Sequence, residues 1–184
     1  MQLIGTVVRL QVQRSHLKPR PSGSGRYDPA PLLPVDALDV TERGCVGVTP
    51  AGPVVDLHHA DHPESRNVRL VNGLSLLPLS NYQRLRARYG EHVVDGSAGE
   101  NVLVDGELGG DMLLELDGEP VPVTGVMAAP PCMEFSRWCL QRDDFEVDDE
   151  VRAALENLDH GARGTYARVA APGRLVLGAR VWRA

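Results

Sequence analysis

The sequence predicts a single, mainly β domain: a barrel carrying a few short helices. Three observations lead there. Glycine and proline are plentiful, at 19 and 14 residues, so turns must be frequent. Aromatic side chains make up only 4% of the chain. Short runs rich in β-branched residues recur between Gly, Pro, Asn or Asp, the pattern of compact β structure. At 184 residues the chain can bury one good core but is short for two, so 1–184 is read as one domain.

Leu3–Gln13 reads as the first strand, because Leu3, Val7 and Val8 stand in a β-branched run. The stretch Arg14–Pro31, with Lys18-Pro19-Arg20-Pro21-Ser22-Gly23-Ser24-Gly25 inside it, reads as a flexible loop within the domain. Further strands are expected at Leu32–Val40, Cys45–Val48, Val68–Val71, Val102–Val104, Met112–Leu116 and Val121–Val126. Ser80 is expected to cap a helix whose apolar positions are Tyr82, Leu85 and Tyr89, ending at Gly90. A second helix should start at Asp148 or Asp149, bury Val151, Leu155 and Leu158, and stop at Gly161. Tyr166–Ala170, a Pro172-Gly173 turn and Leu175–Trp182 then read as a closing hairpin.

Composition excludes several function classes. A net charge of −6 is not the footprint of a nucleic-acid binder. The N-terminus lacks a basic region followed by an apolar core, so no secretory signal is read. No apolar stretch approaches membrane-spanning length. Three cysteines, Cys45, Cys132 and Cys139, leave one unpaired in any disulfide scheme; a reducing, cytoplasmic setting is expected. Lys18 is the only lysine, and its place in the Pro/Gly/Ser-rich loop excludes a Schiff-base role.

Four segments carry chemistry-bearing residues. Cys132 follows Pro130-Pro131, whose rings hold φ near about −65° and present the sulfur at the point where the chain turns. Such a thiol suits sulfur transfer or a soft metal, but on this segment alone it reads as inert. Asp56-Leu57-His58-His59-Ala60-Asp61-His62 matches a metallohydrolase pattern only at His59, Asp61 and His62, and reads as a polar surface loop. Gly99-Glu100-Asn101 leads into a strand; its backbone can approach an anion closely, and Asn101 offers donor and acceptor. Arg163-Gly164 presents a planar fork suited to phosphate or carboxylate. Cys45 and Cys139 read as small core residues.

The order of these segments is more specific than any one of them. From Gly44 to Trp182 the sequence resembles the MOSC family, named after the C-terminal domain of molybdenum cofactor sulfurases. The resemblance rests on Asp56 and His58-His59, Arg66 before Val68-Arg69-Leu70-Val71, Gly99-Glu100-Asn101, Thr124…Pro131-Cys132, and Arg163-Gly164…Tyr166-Ala167-Arg168-Val169. It implies a β-barrel and a cleft for molybdenum cofactor (a molybdopterin). Cys132 would carry persulfide sulfur or ligate molybdenum, with Gly99, Glu100, Asn101, Arg163, Arg66 and His58 about the cofactor. It further implies a stand-alone, bacterial-type member acting as sulfur carrier or as the molybdenum component of a reductase. The partner would be a cysteine desulfurase or an external redox protein. The PLP of the desulfurase domain is not expected on this chain. Ala98, Ala129 and Val55 depart from the family's common residues, and these departures keep open a non-catalytic module that retains the barrel. A hydrolase built on His59, Asp61 and His62 is the third alternative.

Overall fold

The computed structural model describes residues 1–18, 26–67 and 69–184. Seven strands close the barrel. In spatial order they are β12 (Arg180–Arg183), β8 (Met112–Leu116), β9 (Glu119–Ala128), β10 (Thr165–Val169), β6 (Leu74–Pro78), β7 (Val102–Gly106) and β1 (Gln2–Gln13), and β1 returns to β12. All pairs in the ring are antiparallel except β6 with β7. β1 can serve several partners because it is long and its register slips twice, between Leu3 and Gly5 and between Val7 and Arg9. Such slips bend a strand and let it change neighbours. Its second half also pairs with β2 (Leu32–Val35). A second sheet, in the order β11 (Gly173–Val176), β3 (Ala37–Thr41), β4 (Gly44–Thr49) and β5 (Gly52–Val55), packs its apolar side chains into the same core.

The parallel β6–β7 pair positions the site. Parallel neighbours need a crossover, here α1 (Leu79–Tyr89) and the long return Gly90–Asn101. β7 is buried on both faces: Val102 and Val104 join the barrel core, whereas Leu103 joins a second cluster with Leu77, Tyr82, Leu85, Phe135, Cys139 and Leu158. That second cluster seats α1, α2 (Met133–Cys139) and α3 (Asp149–Asn157) on the outside of the barrel. Each large aliphatic or aromatic side chain so buried contributes roughly 1.5–3 kcal/mol.

The expected fold class is observed, with local corrections. Leu32–Val40 is two strands, since β2 pairs with β1 and β3 with β4, on either side of Asp36. Val68 lies outside the described residues, and Arg69–Val71 is not a strand. There Asn67 Oδ1 accepts the N–H groups of Val71 and Asn72, at 2.9 and 3.3 Å, so a side chain takes the bonds a ladder would need. Ser80 is not the cap of α1: Pro78 occupies that place, and β6 runs directly into the helix. Asp148 does cap α3, accepting Val151 N–H at 3.0 Å, but the helix gives out at Leu158, before Gly161. The expected closing hairpin is absent. β10 pairs with β6 and β9, while β11 pairs with β3. Gly178, at φ +79°, then divides β11 from β12. Strands β5 and β6 and helix α2 were not expected. The segment Arg14–Pro31 is anchored at both ends of its described part: Leu17 and Tyr27 are buried, and Asp28 N–H bonds Leu17 O at 2.8 Å. Residues 19–25 of the expected loop lie outside the described residues.

Candidate functional site

A cleft of about 370 Å³ opens where three loops meet. The return before β7 contributes Ala98, Gly99 and Glu100. The segment between β9 and α2 contributes Ala129 to Cys132. The turn into β10 contributes Arg163. His58 and Arg66 also line it, as do Leu17, Lys18 and Tyr27. Of the residues singled out from sequence, Cys132, Gly99, Glu100, Arg163, Arg66 and His58 all border this one cleft.

Each is placed by its local chain. Cys132 is the N-cap residue of α2, extended at φ −133°, ψ 124°, the non-helical backbone usual at a helix N-cap; the two prolines before it hold the approach extended. Its carbonyl starts the helix by accepting Ser136 N–H and Oγ–H, both at 2.9 Å. The sulfur is left to the cleft and donates to Glu134 Oε2 at 3.1 Å. Gly164 sits at φ +100°, and a Cβ there would fall 2.7 Å from the backbone oxygen of Leu76. Only glycine fits this approach, and the turn it permits directs Arg163 back over the site. Arg163 donates to Pro130 O at 3.2 Å and to Ala98 O at 3.5 Å, and lies on the Phe135 ring, 5.5 Å from its centroid. It thereby spans the two loops that carry Cys132 and Gly99. Its Nε is buried without a partner among the described residues.

Asn101 is placed differently from the others. Its side chain does not line the cleft but is consumed beneath it. Oδ1 accepts from Ser75 N and Oγ at 3.1 and 3.0 Å; Nδ2 donates to Gln11 O at 3.3 Å and Asp56 Oδ2 at 3.1 Å. Asp56, fully buried, also accepts Gln13 N–H at 2.7 Å and His58 N–H at 2.8 Å. Asn101 and Asp56 therefore stitch β1, β6, β7 and the histidine loop into one floor. His58 Nδ1 stands 3.3 Å from Asp56 Oδ1, which orients the ring at the cleft edge.

Charge is unevenly spread. Burial pushes the Glu100 carboxyl up to about 7, against the hydrogen bond from Tyr82, which favours the ionised form. Arg163 is held above its usual range: burial opposes its charge, but Cys132, Tyr27 and Tyr166 outweigh that. Lys18 behaves likewise, with burial offset by Cys132 and Glu134. Cys45 and Cys139 are both buried in core clusters, as expected, and desolvation raises both thiols, Cys139 to about 12.

The side chains of His59, Asp61 and His62 are turned to local tasks. His59 Nδ1 accepts Asp61 N–H at 3.1 Å, His62 Nδ1 accepts Glu64 N–H at 3.2 Å, and Asp61 pairs with Arg43. Among the described residues no three His, Cys, Asp or Glu side chains converge as a metal group.

Sequence reasoning missed Lys18, Glu134 and Tyr82. Glu134 lies two residues after Cys132, inside a first helical turn whose Phe135, Trp138 and Cys139 have helical spacing; that spacing was the available signal. Lys18 stands in the Pro/Gly/Ser-rich segment that the sequence marks as a loop, yet its Nζ lies 3.1 Å from Glu134 Oε2.

Fold and site together define a closed seven-stranded barrel with a cysteine-bearing, cation-lined cleft on its helical side. The MOSC domain family model matches residues 66–182, and the chain belongs to that family. No curated protein matches its sequence. Among solved structures, the YuaD protein of Bacillus subtilis is similar over 98% of this chain and 96% of its own, at TM-score 0.59 and 13% identity. YiiM from Escherichia coli is similar over 81% of this chain and 63% of its own, at TM-score 0.51 and 18% identity. These likenesses establish the barrel.

Proposed function

We propose that the cleft receives a molybdopterin-type cofactor and that Cys132 is its sulfur contact. The protein would serve as a sulfur carrier or as the molybdenum component of a reductase. One observation carries this reading: a thiol, the three basic groups Lys18, Arg66 and Arg163 and a glycine turn border the same cavity, whose size suits a heterocyclic ligand. The donor set fits an anionic pterin. Arg163 keeps a buried Nε–H with no partner among the described residues and, with Arg66 and His58, would hold phosphate and ring oxygens. A Cβ at Gly99 would fall 2.8 Å from the Leu17 side chain, so the glycine lets Leu17 pack against the cleft wall. When bound, the group supplies a soft metal that a cysteine sulfur can ligate.

As carrier, the sulfur of Cys132 attacks the terminal sulfur of a persulfide on a cysteine desulfurase. A new S–S bond forms on Cys132, the donor's S–S bond breaks, and its thiolate leaves with the electron pair. As reductase component, Cys132 stays a ligand and electrons arrive from an external redox protein. Mass spectrometry after incubation with a desulfurase and cysteine separates the two: a persulfide on Cys132 supports transfer, and its absence sinks it. Three free cysteines accord with a reducing, cytoplasmic setting.

A second reading, a binding module without chemistry, is favoured by Ala98 and Ala129, which give the cleft wall methyl groups in place of larger or charged side chains. It predicts that Cys132→Ser leaves cofactor affinity unchanged.

A further inference from the structure

Gln13 closes β1 at the cleft and is only 6% exposed. Its backbone is held on both sides: the N–H donates to Asp56 Oδ2 at 2.7 Å, and the carbonyl accepts Leu57 N–H at 2.7 Å. The side chain is held as well, since Nε2 donates to Ser15 O at 2.8 Å. Of the two ends of an amide, only the nitrogen can meet a carbonyl in this way. The free end is therefore fixed as Oε1. That oxygen stands beside Gly99, where a Cβ would lie 3.8 Å from it. Among the described residues no group donates to it. Gln13 thus brings a neutral, oriented acceptor to the cleft wall.

The cations of the cleft offer the opposite chemistry. Arg163, which reaches Ala98 O at 3.5 Å, has donors and no acceptor, and the same holds for Lys18 and Arg66. These three groups call for acceptors on a ligand; Gln13 calls for a donor. Two carboxylates border the cleft too, but they are placed otherwise. Glu100 gives Oε2 to Tyr82 and has Oε1 buried in the wall. Glu64 is exposed and stands 3.9 Å from His16.

We infer that Gln13 is a specificity-determining residue. Its Oε1 accepts a hydrogen bond from a ring N–H or amine of the bound heterocycle, so the cleft selects an anionic ligand whose ring also carries a donor. The inference rests on the proposed function and deepens it: a pterin ring has an N–H and an exocyclic amine beside its carbonyl. A ligand with acceptors alone meets the three cations but strips Oε1 of water and gives no donor in return. Loss of that one bond corresponds to about tenfold in affinity.

The test is the binding of two fluorescent probes to the cofactor-free protein. Hydroxymethylpterin keeps the ring N–H and the amine. Dimethyllumazine is a ring of the same kind, with methyl groups on both ring N–H positions and a carbonyl in place of the amine. The wild type should bind hydroxymethylpterin at least about tenfold more tightly. Gln13→Met keeps the length of the side chain and removes the acceptor. It should narrow the preference to below about threefold, through weaker binding of hydroxymethylpterin. The variant also loses the bond to Ser15 O, but a merely structural role would weaken both probes alike and leave their ratio unchanged. The wild-type comparison stands even if the variant does not fold. Equal binding of both probes by the wild type, or an unchanged ratio in Gln13→Met, overturns the role of Gln13 while pterin binding by the wild type upholds the cofactor reading. A wild type that binds neither probe removes the cofactor reading and the role of Gln13 with it.

Discussion

Tyr82 donates a 2.8 Å hydrogen bond to Glu100 Oε2 and accepts one of equal length from Ala98 N–H, all within the buried wall of the cleft. Tyr82 belongs to α1 and Glu100 to the turn before β7, so this pair fixes the crossover to the strand it serves. The other carboxyl oxygen, Oε1, is buried without a partner among the described residues. A half-satisfied buried carboxyl prefers its neutral form.

Stability should therefore fall as pH rises through Glu100's range. Its folded value of about 7 lies above the ordinary 4.5, so between those limits the folded state holds the extra proton. The loss amounts to about 3 kcal/mol once both states are ionised. Thermal unfolding between pH 5 and pH 8 checks this. Glu100→Gln should flatten the decline and melt several degrees above wild type at pH 8. An equal decline in both proteins would remove Glu100 as its source.

Tyr82→Phe should be destabilising by about 1–3 kcal/mol, because it leaves Ala98 N–H and Glu100 without their shared partner. Urea midpoints measure it. A neutral outcome would mean that water replaces the hydroxyl.

Asn101→Ala should cost about 3 kcal/mol, since buried groups of Ser75, Gln11 and Asp56 lose their partner together. In a domain of this size that lowers Tm by about 6–12 °C. Calorimetry of the cofactor-free protein decides between this and a direct ligand contact, which would leave the empty protein's Tm unmoved.

Arg163→Lys should weaken ligand retention at least tenfold with a smaller effect on stability. Lysine keeps the charge but loses the planar stacking on Phe135 and the fork that reaches Pro130 O and Ala98 O. Equal retention by both proteins would place the ligand elsewhere.

The barrel was legible where one strand's own pattern carries its fate. β1 and β7 show β-branched runs bounded by turn residues, β8 an aliphatic run between Asp111 and Asp117-Gly118, and α3 shows both its cap and its apolar face. What was illegible depends on partners far along the chain. Nothing near Pro172-Gly173 reveals that β10 and β11 join different sheets. Nothing near Val68 to Val71 announces that Asn67 will claim the following N–H groups. The site followed the same division. Cys132, Gly99 and Arg163 stood out through backbone constraints written in adjacent prolines and glycines. Lys18 and Glu134 matter only through meeting across 116 residues, as their numbers in the sequence show. Asn101 looked like a ligand contact because amides suit both tasks; its hydrogen bonds assign it to the floor.

The most direct measurement is molybdenum and pterin content of the protein purified from a host that makes molybdenum cofactor, compared with Cys132→Ser. The account predicts bound pterin with molybdenum in the wild type and a marked loss in the variant. Absence of pterin from the wild type, or equal retention by both, would contradict it.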